Sequence, residues 1–265
     1  MMPTNSATSE SQLYYEEKGT GAPIVLIHPA GATASTWGAA VEDLARVGRV
    51  ITYDRRGYDR SPGEPVRSIA AHTADAAALL DRLETGPAVL VGTSVGATIA
   101  IDLGRLRPDL ARAVVAHESP WHVTRHVPTL RQLAALTKMR WLAARHQYGE
   151  AIATFLRFAY SYRDGGSAWD RFPEEWRRIA SQNARAGLDD IRIAIGSYPT
   201  ARQLATVRIP VVCTCGERSA QTMVDVTRSL ARAIPDAKFC QIEGAGHAAP
   251  FDTPANFADV VAGVV

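Results

Sequence analysis

Short apolar runs rich in valine and isoleucine alternate along the chain with segments of helical length. This alternation is typical of a parallel β-sheet wrapped by helices, so it predicts an α/β fold with a mostly parallel central sheet. The predicted strands span residues 13–17, 24–28, 50–54, 88–92, 113–118, 210–215 and 238–242. The predicted helices span residues 69–83, 95–107, 223–234 and 254–261. Gly19-Thr20-Gly21 is a turn signal between the first two strands, which we therefore expect to form a β-hairpin.

The strand pattern stops within residues 120–205, which we call the inserted segment. Helix-like stretches replace the strands there, and they hold 11 of the 19 aromatic residues of the chain. We predict that the inserted segment forms a helical lid on a core made of residues 1–119 and 206–265. Most of its aromatic side chains are explained by packing of the lid on the core, and the others would form an apolar ceiling over a pocket.

Length and charge limit the classes of protein to consider. A chain of 265 residues is near the upper limit for one hydrophobic core, which favours one domain with an insertion over two independent domains. The net charge is +2 and no run of lysine or arginine occurs, which argues against a nucleic-acid partner. Residues 1–12 lack the features of a secretory leader, and the longest apolar stretch, residues 87–103, is too short to span a bilayer. We expect a cytoplasmic monomer or homodimer with no membrane partner.

The cysteines do not indicate a disulfide framework. Cys213, Cys215 and Cys240 are an odd number of thiols inside apolar, strand-like segments. This placement favours buried free thiols over disulfide bonds or a zinc site. We predict neither a metal nor a cofactor.

Gly92-Thr93-Ser94-Val95-Gly96 follows a predicted strand and precedes a predicted helix that opens with small residues. A sharp turn from strand to helix needs small flanking residues, because the backbone at the serine is strained and neighbouring chains approach closely. The helix N-terminus also favours negative charge that develops beside the serine. This context predicts that Ser94 is a catalytic nucleophile.

His28-Pro29-Ala30-Gly31 lies at the end of the predicted strand 24–28. A serine nucleophile needs two backbone amides that face the oxyanion of its tetrahedral intermediate. We predict the amide of Val95, directly after the nucleophile, and that of Ala30. His28 is better explained as a residue that braces this loop than as a catalytic group.

Gly244-Ala245-Gly246-His247 follows the last predicted strand and precedes the last predicted helix. The glycines would let this loop carry its histidine across the edge of the sheet to the serine. The position after the final strand also gives the order serine, acid, histidine along the chain. We predict that His247 is the general base.

A carboxylate is needed to fix the tautomer of the histidine and to stabilise the imidazolium. In many hydrolases with this serine turn an aspartate stands three residues after a glycine equivalent to Gly216, but Ser219 occupies that place here. Glu118 ends a predicted strand, where the catalytic groups of open α/β sheets collect. We favour Glu118 as the acid, with Glu217 and Asp225 as alternatives.

Together these motifs resemble the α/β-hydrolase superfamily. The loop Asp54-Arg55-Arg56-Gly57-Tyr58-Asp59-Arg60-Ser61 is similar to its Asp-x-x-Gly-x-Gly-x-Ser loop, with Asp59 in place of the second glycine. The loop at His28 is similar to its oxyanion loop, with proline in place of glycine. The resemblance implies the α/β-hydrolase fold.

A closer resemblance is to the zearalenone hydrolases, lactonases that open a resorcylic macrolactone with a serine, a histidine and a glutamate. It rests on residues 13–21, on the 24-residue step from Ser94 to Glu118, and on His117-Glu118-Ser119-Pro120 followed by Trp121-His122-Val123. The resemblance implies a triad of Ser94, Glu118 and His247, with the amides of Ala30 and Val95 as oxyanion hole. The predicted substrate contacts are Gly31, Trp121, His122 and Trp176, with Trp169 as an alternative to Trp176.

These observations predict a serine hydrolase that opens a small apolar carboxylic ester or lactone, such as a zearalenone-type macrolactone, through an acyl-enzyme. Haloalkane dehalogenase and epoxide hydrolase chemistry would need a carboxylate at position 94 in this fold, which holds serine. Hydrolysis of a carbon–carbon bond, cofactor-free perhydrolysis and a slow-turnover ligand-binding receptor are the alternatives.

Overall fold

In the described residues, a seven-stranded sheet places the segments with Ser94, Glu118 and His247 after the carboxyl ends of β-strands. The structure is a computed structural model that describes residues 13–123, 126–196 and 198–265. The strand order across the sheet is β1-β3-β2-β4-β5-β6-β7, and all paired strands are parallel except β1 and β3. The strands are β1 (Tyr15–Lys18), β2 (Pro23–Ile27), β3 (Arg49–Tyr53), β4 (Ala88–Thr93), β5 (Ala111–His117), β6 (Val211–Gly216) and β7 (Lys238–Ile242). The predicted α/β fold is confirmed.

Helices connect the strands, and none of those that the structure describes is long and apolar enough to cross a membrane. Outside the inserted segment they are α1 (Ala39–Leu44), α2 (Ile69–Arg82), α3 (Val95–Leu106), α10 (Gln221–Ala233), α11 (Ala249–Asp252) and α12 (Pro254–Ala262). Ala34–Trp37 forms a 3-10 turn. Those of the inserted segment are α4 (Leu130–Ala144), α5 (Tyr148–Ala159), α6 (Ala168–Arg171), α7 (Glu174–Gln182), α8 (Ala184–Gly196) and α9 (Ala201–Leu204).

Two apolar cores lie on opposite faces of the sheet, because side chains alternate in direction along a strand. In β2, Val25 and Ile27 belong to the core that α2, α3 and α10 cover, whereas Ile24 and Leu26 belong to the core that α1 and α12 cover. The central strands are therefore apolar on both faces, which explains why unbroken apolar runs located them in the sequence.

The predicted hairpin between the first two strands is wrong. β1 pairs with β3 instead, with Tyr15 opposite Tyr53, and β3 itself lies between β1 and β2. β2 is buried on both faces and is paired with β3 on one side and β4 on the other, so it has no free edge for β1. The turn at Gly19 carries the chain across β3, and a Cβ there would lie 2.3 Å from the carbonyl oxygen of Gly48.

The free thiols differ in exposure according to strand position. Cys213 and Cys215 are buried in β6, as predicted. Cys240 is partly exposed, which departs from the prediction because β7 is an edge strand of the sheet.

The inserted segment has an apolar cluster of its own, built from α4 to α8. The cluster includes Leu142, Leu156 and Trp169 and reaches the core at Ala248, directly after His247. The helical content that we predicted for this segment is present, and the division at residues 120 and 205 into a core and a lid stays a prediction.

Candidate active site

Ser94 lies at the sharp turn between β4 and α3, which we call the elbow. Its backbone conformation is one that side chains rarely adopt (φ 54°, ψ −124°). Gly92 and Gly96 must be glycine, because a side chain at either position would collide with the backbone of a neighbouring segment. A Cβ on Gly92 would lie 2.2 Å from the carbonyl oxygen of Gly96, and a Cβ on Gly96 would lie 2.1 Å from that of Ile27. The turn is thus held between β2 and α3, and it presents a partly exposed Ser94 at the carboxyl end of the sheet.

Glu118 directly follows β5 and is fully buried, also with a positive φ of 48°. Its position is fixed by the neighbouring strands, since Ser94 N–H donates to the His117 carbonyl at 2.9 Å and Glu118 N–H donates to the Thr214 carbonyl at 2.9 Å. The ends of β4 and β5 therefore bring Ser94 and Glu118 to the same edge of the sheet.

His247 lies on the loop after β7 and meets Glu118 there. Its Nδ1 lies 2.7 Å from Oε2 of Glu118, and its side chain is 12% exposed, whereas that of Glu118 is 0% exposed. A carboxylate accepts only, so Nδ1 carries the proton and donates it. Nε2 of a neutral His247 is then free to accept a proton.

The carboxylate of Glu118 stays ionised in spite of its burial. Burial alone would raise the pKa of Glu118, but the hydrogen bond and charge of His247, the charge of His117 and the Ser219 hydroxyl together lower the pKa to about 2. Oε1 accepts from Gly216 N–H at 3.0 Å and from the Ser219 hydroxyl. The site therefore holds a fixed negative charge behind the imidazole.

The alternative acids are turned elsewhere. Glu217 is exposed, and its Oε2 accepts from Gly244 N–H at 3.0 Å. Asp225 lies in α10 and accepts from the side-chain amide of Gln221 at 2.9 Å. Of the three candidate carboxylates, Glu118 is the one that the structure brings to His247.

Several residues that support the histidine loop were not predicted. Buried His117 has Nε2 at 3.1 Å from the Gly246 carbonyl oxygen and Nδ1 at 3.0 Å from the Thr214 hydroxyl. Asp252 accepts from Gly246 N–H at 2.9 Å and from the Tyr162 hydroxyl at 2.5 Å. The adjacency of His117 to Glu118 was the available signal for the first, whereas Tyr162 and Asp252 are far apart in sequence and gave none.

Ala30 lies on the loop that follows β2. Val95 is the first residue of α3, so its N–H is one of the unpaired amides of a helix N-terminus. Within the described part of the chain, neither the N–H of Ala30 nor that of Val95 donates a hydrogen bond, so both could donate to an oxyanion. His28 is buried and accepts from Arg55 N–H at 3.0 Å, which fits a bracing residue.

An apolar cavity opens between these loops and the inserted segment. Ala30, Gly31, Thr93 and His247 line its floor. The aromatic part of its lining is Trp37, Tyr160, Trp169, Phe172, Trp176 and Phe251. Among the lining residues that the structure describes, none is aspartate, glutamate, lysine or arginine. The cavity is therefore suited to an uncharged, apolar ligand.

The predicted substrate contacts divide into two pairs. Gly31 and Trp176 line this cavity. Trp121 does not, since it is 7% exposed in the sheet core and donates its indole N–H to the Pro199 carbonyl at 2.8 Å. His122 packs against Trp121, with ring centroids 4.3 Å apart, and is not among the described residues that line the cavity. A buried indole needs an acceptor, which accounts for the position of Trp121.

Comparison with known families identifies the family of this chain. The model of the Alpha/beta hydrolase family matches residues 24–260. The chain belongs to the alpha/beta hydrolase family. It is thus an enzyme of the alpha/beta hydrolase superfamily. Ser94, Glu118 and His247 all lie inside the matched region.

Individual relatives fit this assignment. The chain is similar to a protein named putative carbamate hydrolase RutD from Azorhizobium caulinodans, with 27% identity over 96% of this chain and 95% of that protein. It is also similar in structure to a thermophilic esterase from Thermogutta terrifontis (TM-score 0.74, 24% identity, 94% of this chain and 91% of that chain). An enol-lactonase from Burkholderia xenovorans LB400 is a further structural relative (TM-score 0.75, 21% identity, 97% of each chain). At these identities the structural similarities establish the alpha/beta hydrolase fold alone.

Proposed function

We propose that this alpha/beta hydrolase cleaves a carboxylic ester or lactone with Ser94 as nucleophile, through an acyl-enzyme. The observation that carries the proposal is the hydrogen bond from His247 Nδ1 to buried Glu118 Oε2 at 2.7 Å. His247 and Thr93, the residue before Ser94, line the same cavity, which supports a serine and an imidazole that act on one substrate.

The proposed reaction has two halves. His247 Nε2 takes the proton of Ser94 as the serine oxygen attacks the carbonyl carbon, and the imidazolium is stabilised by Glu118. The amides of Ala30 and Val95 donate to the oxyanion of the tetrahedral intermediate. His247 returns the proton to the alkoxide as the ester bond breaks, and water then attacks the acyl-enzyme by the same route and releases the carboxylic acid.

The lining of the cavity supports an uncharged substrate with a bulky apolar group. Phe172 and Phe251 meet edge to face with ring centroids 4.9 Å apart, and Trp176 lies 5.5 Å from each of them. Such an aromatic wall gains contact with flat apolar groups, whereas a free carboxylate would lose its hydration with no cation to replace it. We expect neutral aryl and alkyl esters or lactones to be accepted before anionic ones.

More specifically, we propose a macrolactone of the zearalenone type as the substrate. This proposal is supported by the sequence around Glu118 and by the positions of Trp169 and Trp176, which both line the cavity. In this case the inserted segment acts as the lid over the macrolactone ring, and Trp176 packs on its aryl part. Proteins of the same fold include one named as an esterase and one named as an enol-lactonase, so ester and lactone bonds lie within the chemistry that this fold can perform.

A substrate panel tests the proposed function. Neutral p-nitrophenyl esters of increasing chain length, simple lactones and zearalenone are incubated with the wild-type chain and with Ser94→Ala. We expect turnover of neutral esters that falls by roughly 10⁶-fold in Ser94→Ala. Esters hydrolysed without opening of zearalenone would restrict the proposal to small esters and lactones. Binding of these compounds without turnover by either protein would indicate a receptor. A separate incubation with a diketone, or with a carboxylic acid and hydrogen peroxide, tests the two other enzymatic alternatives. Activity in that incubation alone would indicate carbon–carbon bond hydrolysis or perhydrolysis, respectively.

A further inference from the structure

A buried ion pair lies outside the proposed triad, between the loop after β3 and helix α8. Arg55 Nη2 lies 2.6 Å from Asp190 Oδ2, and both side chains are 1% exposed. Tyr58 donates its hydroxyl to the same carboxylate, and His72 Nε2 lies 3.3 Å from Asp190 Oδ1. A buried ion pair seldom adds net stability, since both charges lose their hydration. Its place beside the active-site loops indicates another role.

The same guanidinium holds the proposed oxyanion loop. Arg55 Nη2 donates to the Pro29 carbonyl at 3.2 Å, and Arg55 N–H donates to His28 Nε2 at 3.0 Å. Because Nε2 accepts, Nδ1 of His28 carries the proton and donates to the Pro29 oxygen at 2.9 Å. Burial and the charge of Arg55 lower the pKa of His28 well below its ordinary value, so this ring stays neutral. The Tyr58 hydroxyl accepts from Gly31 N–H at 3.4 Å.

These contacts determine where the next amide points. The Pro29 carbonyl and the Ala30 N–H belong to one planar trans peptide unit, so the two bonds point in opposite directions. A carbonyl that is held against the buried guanidinium therefore directs the Ala30 N–H away from Arg55, and Ala30 lines the cavity. A cation at the carbonyl also polarises the peptide unit and makes its N–H a stronger donor.

We propose that Arg55, held in place by Asp190, positions and polarises the Ala30 amide for the oxyanion, so that the oxyanion hole depends on helix α8 of the inserted segment. The proposal rests on the proposed function, in which Ala30 binds the oxyanion. Arg55 and Asp190 are positioning residues, since neither is among the described residues that line the cavity. Arg55 stands at a variable position of the Asp54–Ser61 loop pattern, so no motif marks it in the sequence.

The decisive variant replaces the pair without leaving a charge unpaired. Arg55→Met/Asp190→Leu removes both buried charges together, a change that folded proteins tolerate far better than loss of one partner. Tyr58→Phe is a second, milder variant that loses the hydroxyl between Gly31 and Asp190. The matched control is Arg56→Met/Asp75→Leu. Arg56 is the next residue of the same loop, its Nε lies 2.8 Å from Asp75 Oδ2, and its side chain is partly exposed.

Each folded variant is assayed with p-nitrophenyl acetate and with two ketones. A trifluoromethyl ketone forms a tetrahedral adduct with the serine and needs the oxyanion hole, whereas the matching methyl ketone binds without forming an oxyanion. We expect kcat of the double variant to fall roughly 10- to 100-fold with KM unchanged, since loss of one complete oxyanion donor costs about 10²- to 10³-fold. The double variant should bind the trifluoromethyl ketone more weakly by the same factor and should bind the methyl ketone as well as wild type does. Tyr58→Phe should show smaller losses of kcat and of trifluoromethyl ketone affinity. The control should show neither loss.

A merely structural role predicts different results. If the double variant, or Tyr58→Phe where the double variant does not fold, retains both kcat and trifluoromethyl ketone affinity, the proposal is overturned. Equal weakening of both ketones would also overturn it, because ground-state binding would then be what changed. A wild-type chain that neither hydrolyses the ester nor binds the trifluoromethyl ketone would overturn the proposed function itself, and the proposal with it.

Discussion

Ser219 donates its hydroxyl to Oε1 of Glu118, from the place where an aspartate would be expected to contact the histidine. Glu118 comes 101 residues earlier in the chain, directly after β5, and its Oε2 lies 2.7 Å from Nδ1 of His247. A hydroxyl at position 219 can stabilise the displaced carboxylate, whereas an aspartate there would repel it. Serine at 219 and glutamate at 118 are thus two parts of one arrangement.

This arrangement predicts the effect of moving the acid. Glu118→Gln should lower kcat by roughly 10⁴-fold, because the amide cannot stabilise the imidazolium. Adding Ser219→Asp to Glu118→Gln should restore part of the activity, since a carboxylate then returns to the same side of His247. Steady-state hydrolysis of a p-nitrophenyl ester measures both changes.

Glu217→Gln is the matched control, because Glu217 is exposed and bonds to Gly244 instead. Its kcat should stay within roughly twofold of wild type. Full activity in Glu118→Gln together with loss in Glu217→Gln would mean that the acid has been assigned to the wrong residue.

The ionised state of Glu118 predicts a pH-dependent stability. Its pKa is lowered in the folded chain to about 2, so its contribution is fully present above the ordinary pKa and is lost as the pH falls toward 2. The difference in the free energy of unfolding between wild type and Glu118→Gln should shrink by on the order of 2 kcal/mol from about pH 6 to about pH 3. Denaturant titrations at each pH measure it, and a difference that does not vary with pH would show that Glu118 is not held ionised.

The close approach at the elbow predicts a strong steric effect. Gly96→Ala would place a Cβ 2.1 Å from the Ile27 carbonyl oxygen, so it should destabilise the fold by more than about 3 kcal/mol or prevent folding. Gly263→Ala meets nothing nearer than 3.5 Å and should change stability by less than about 1 kcal/mol. Thermal unfolding of the two variants compares them, and equal melting temperatures would contradict the described packing of the elbow.

The aromatic wall predicts a selective effect on substrate binding. Trp176→Ala should raise KM roughly 10-fold for a bulky aryl ester and leave that for an acetate ester nearly unchanged, because only the larger group reaches the wall. Trp141→Ala is the control, as Trp141 is 56% exposed on α4. The same change in KM for both esters, or an equal effect in the Trp141 variant, would argue against a substrate contact of Trp176.

The strands of the core could be located from the sequence because each is a local apolar run. β7 spans the residues predicted for it, and β4 extends one residue beyond its prediction. The elbow and the histidine loop were equally local, since each is a glycine-rich turn at the end of a strand. Each turn could be placed in the fold because the strand before it had been located in the sequence.

The features that escaped prediction depend on contacts between distant segments. The pairing of β1 with β3 and the Arg55–Asp190 pair, 135 residues apart, leave no local pattern. Trp121 follows the acid motif directly but turns toward Pro199, because its buried N–H requires an acceptor. The inserted segment had helical composition, yet which of its aromatic residues face the cavity was decided by how its helices pack.

The site of covalent modification by a fluorophosphonate tests whether Ser94 is the nucleophile. The wild-type chain is incubated with the reagent, digested and mapped by mass spectrometry, next to Ser94→Ala and His247→Ala. We expect one phosphonyl group on Ser94, none in Ser94→Ala, and labelling slowed by at least about 10³-fold in His247→Ala. An unlabelled wild-type chain, or label on another residue with undiminished ester hydrolysis in Ser94→Ala, would contradict this role of Ser94.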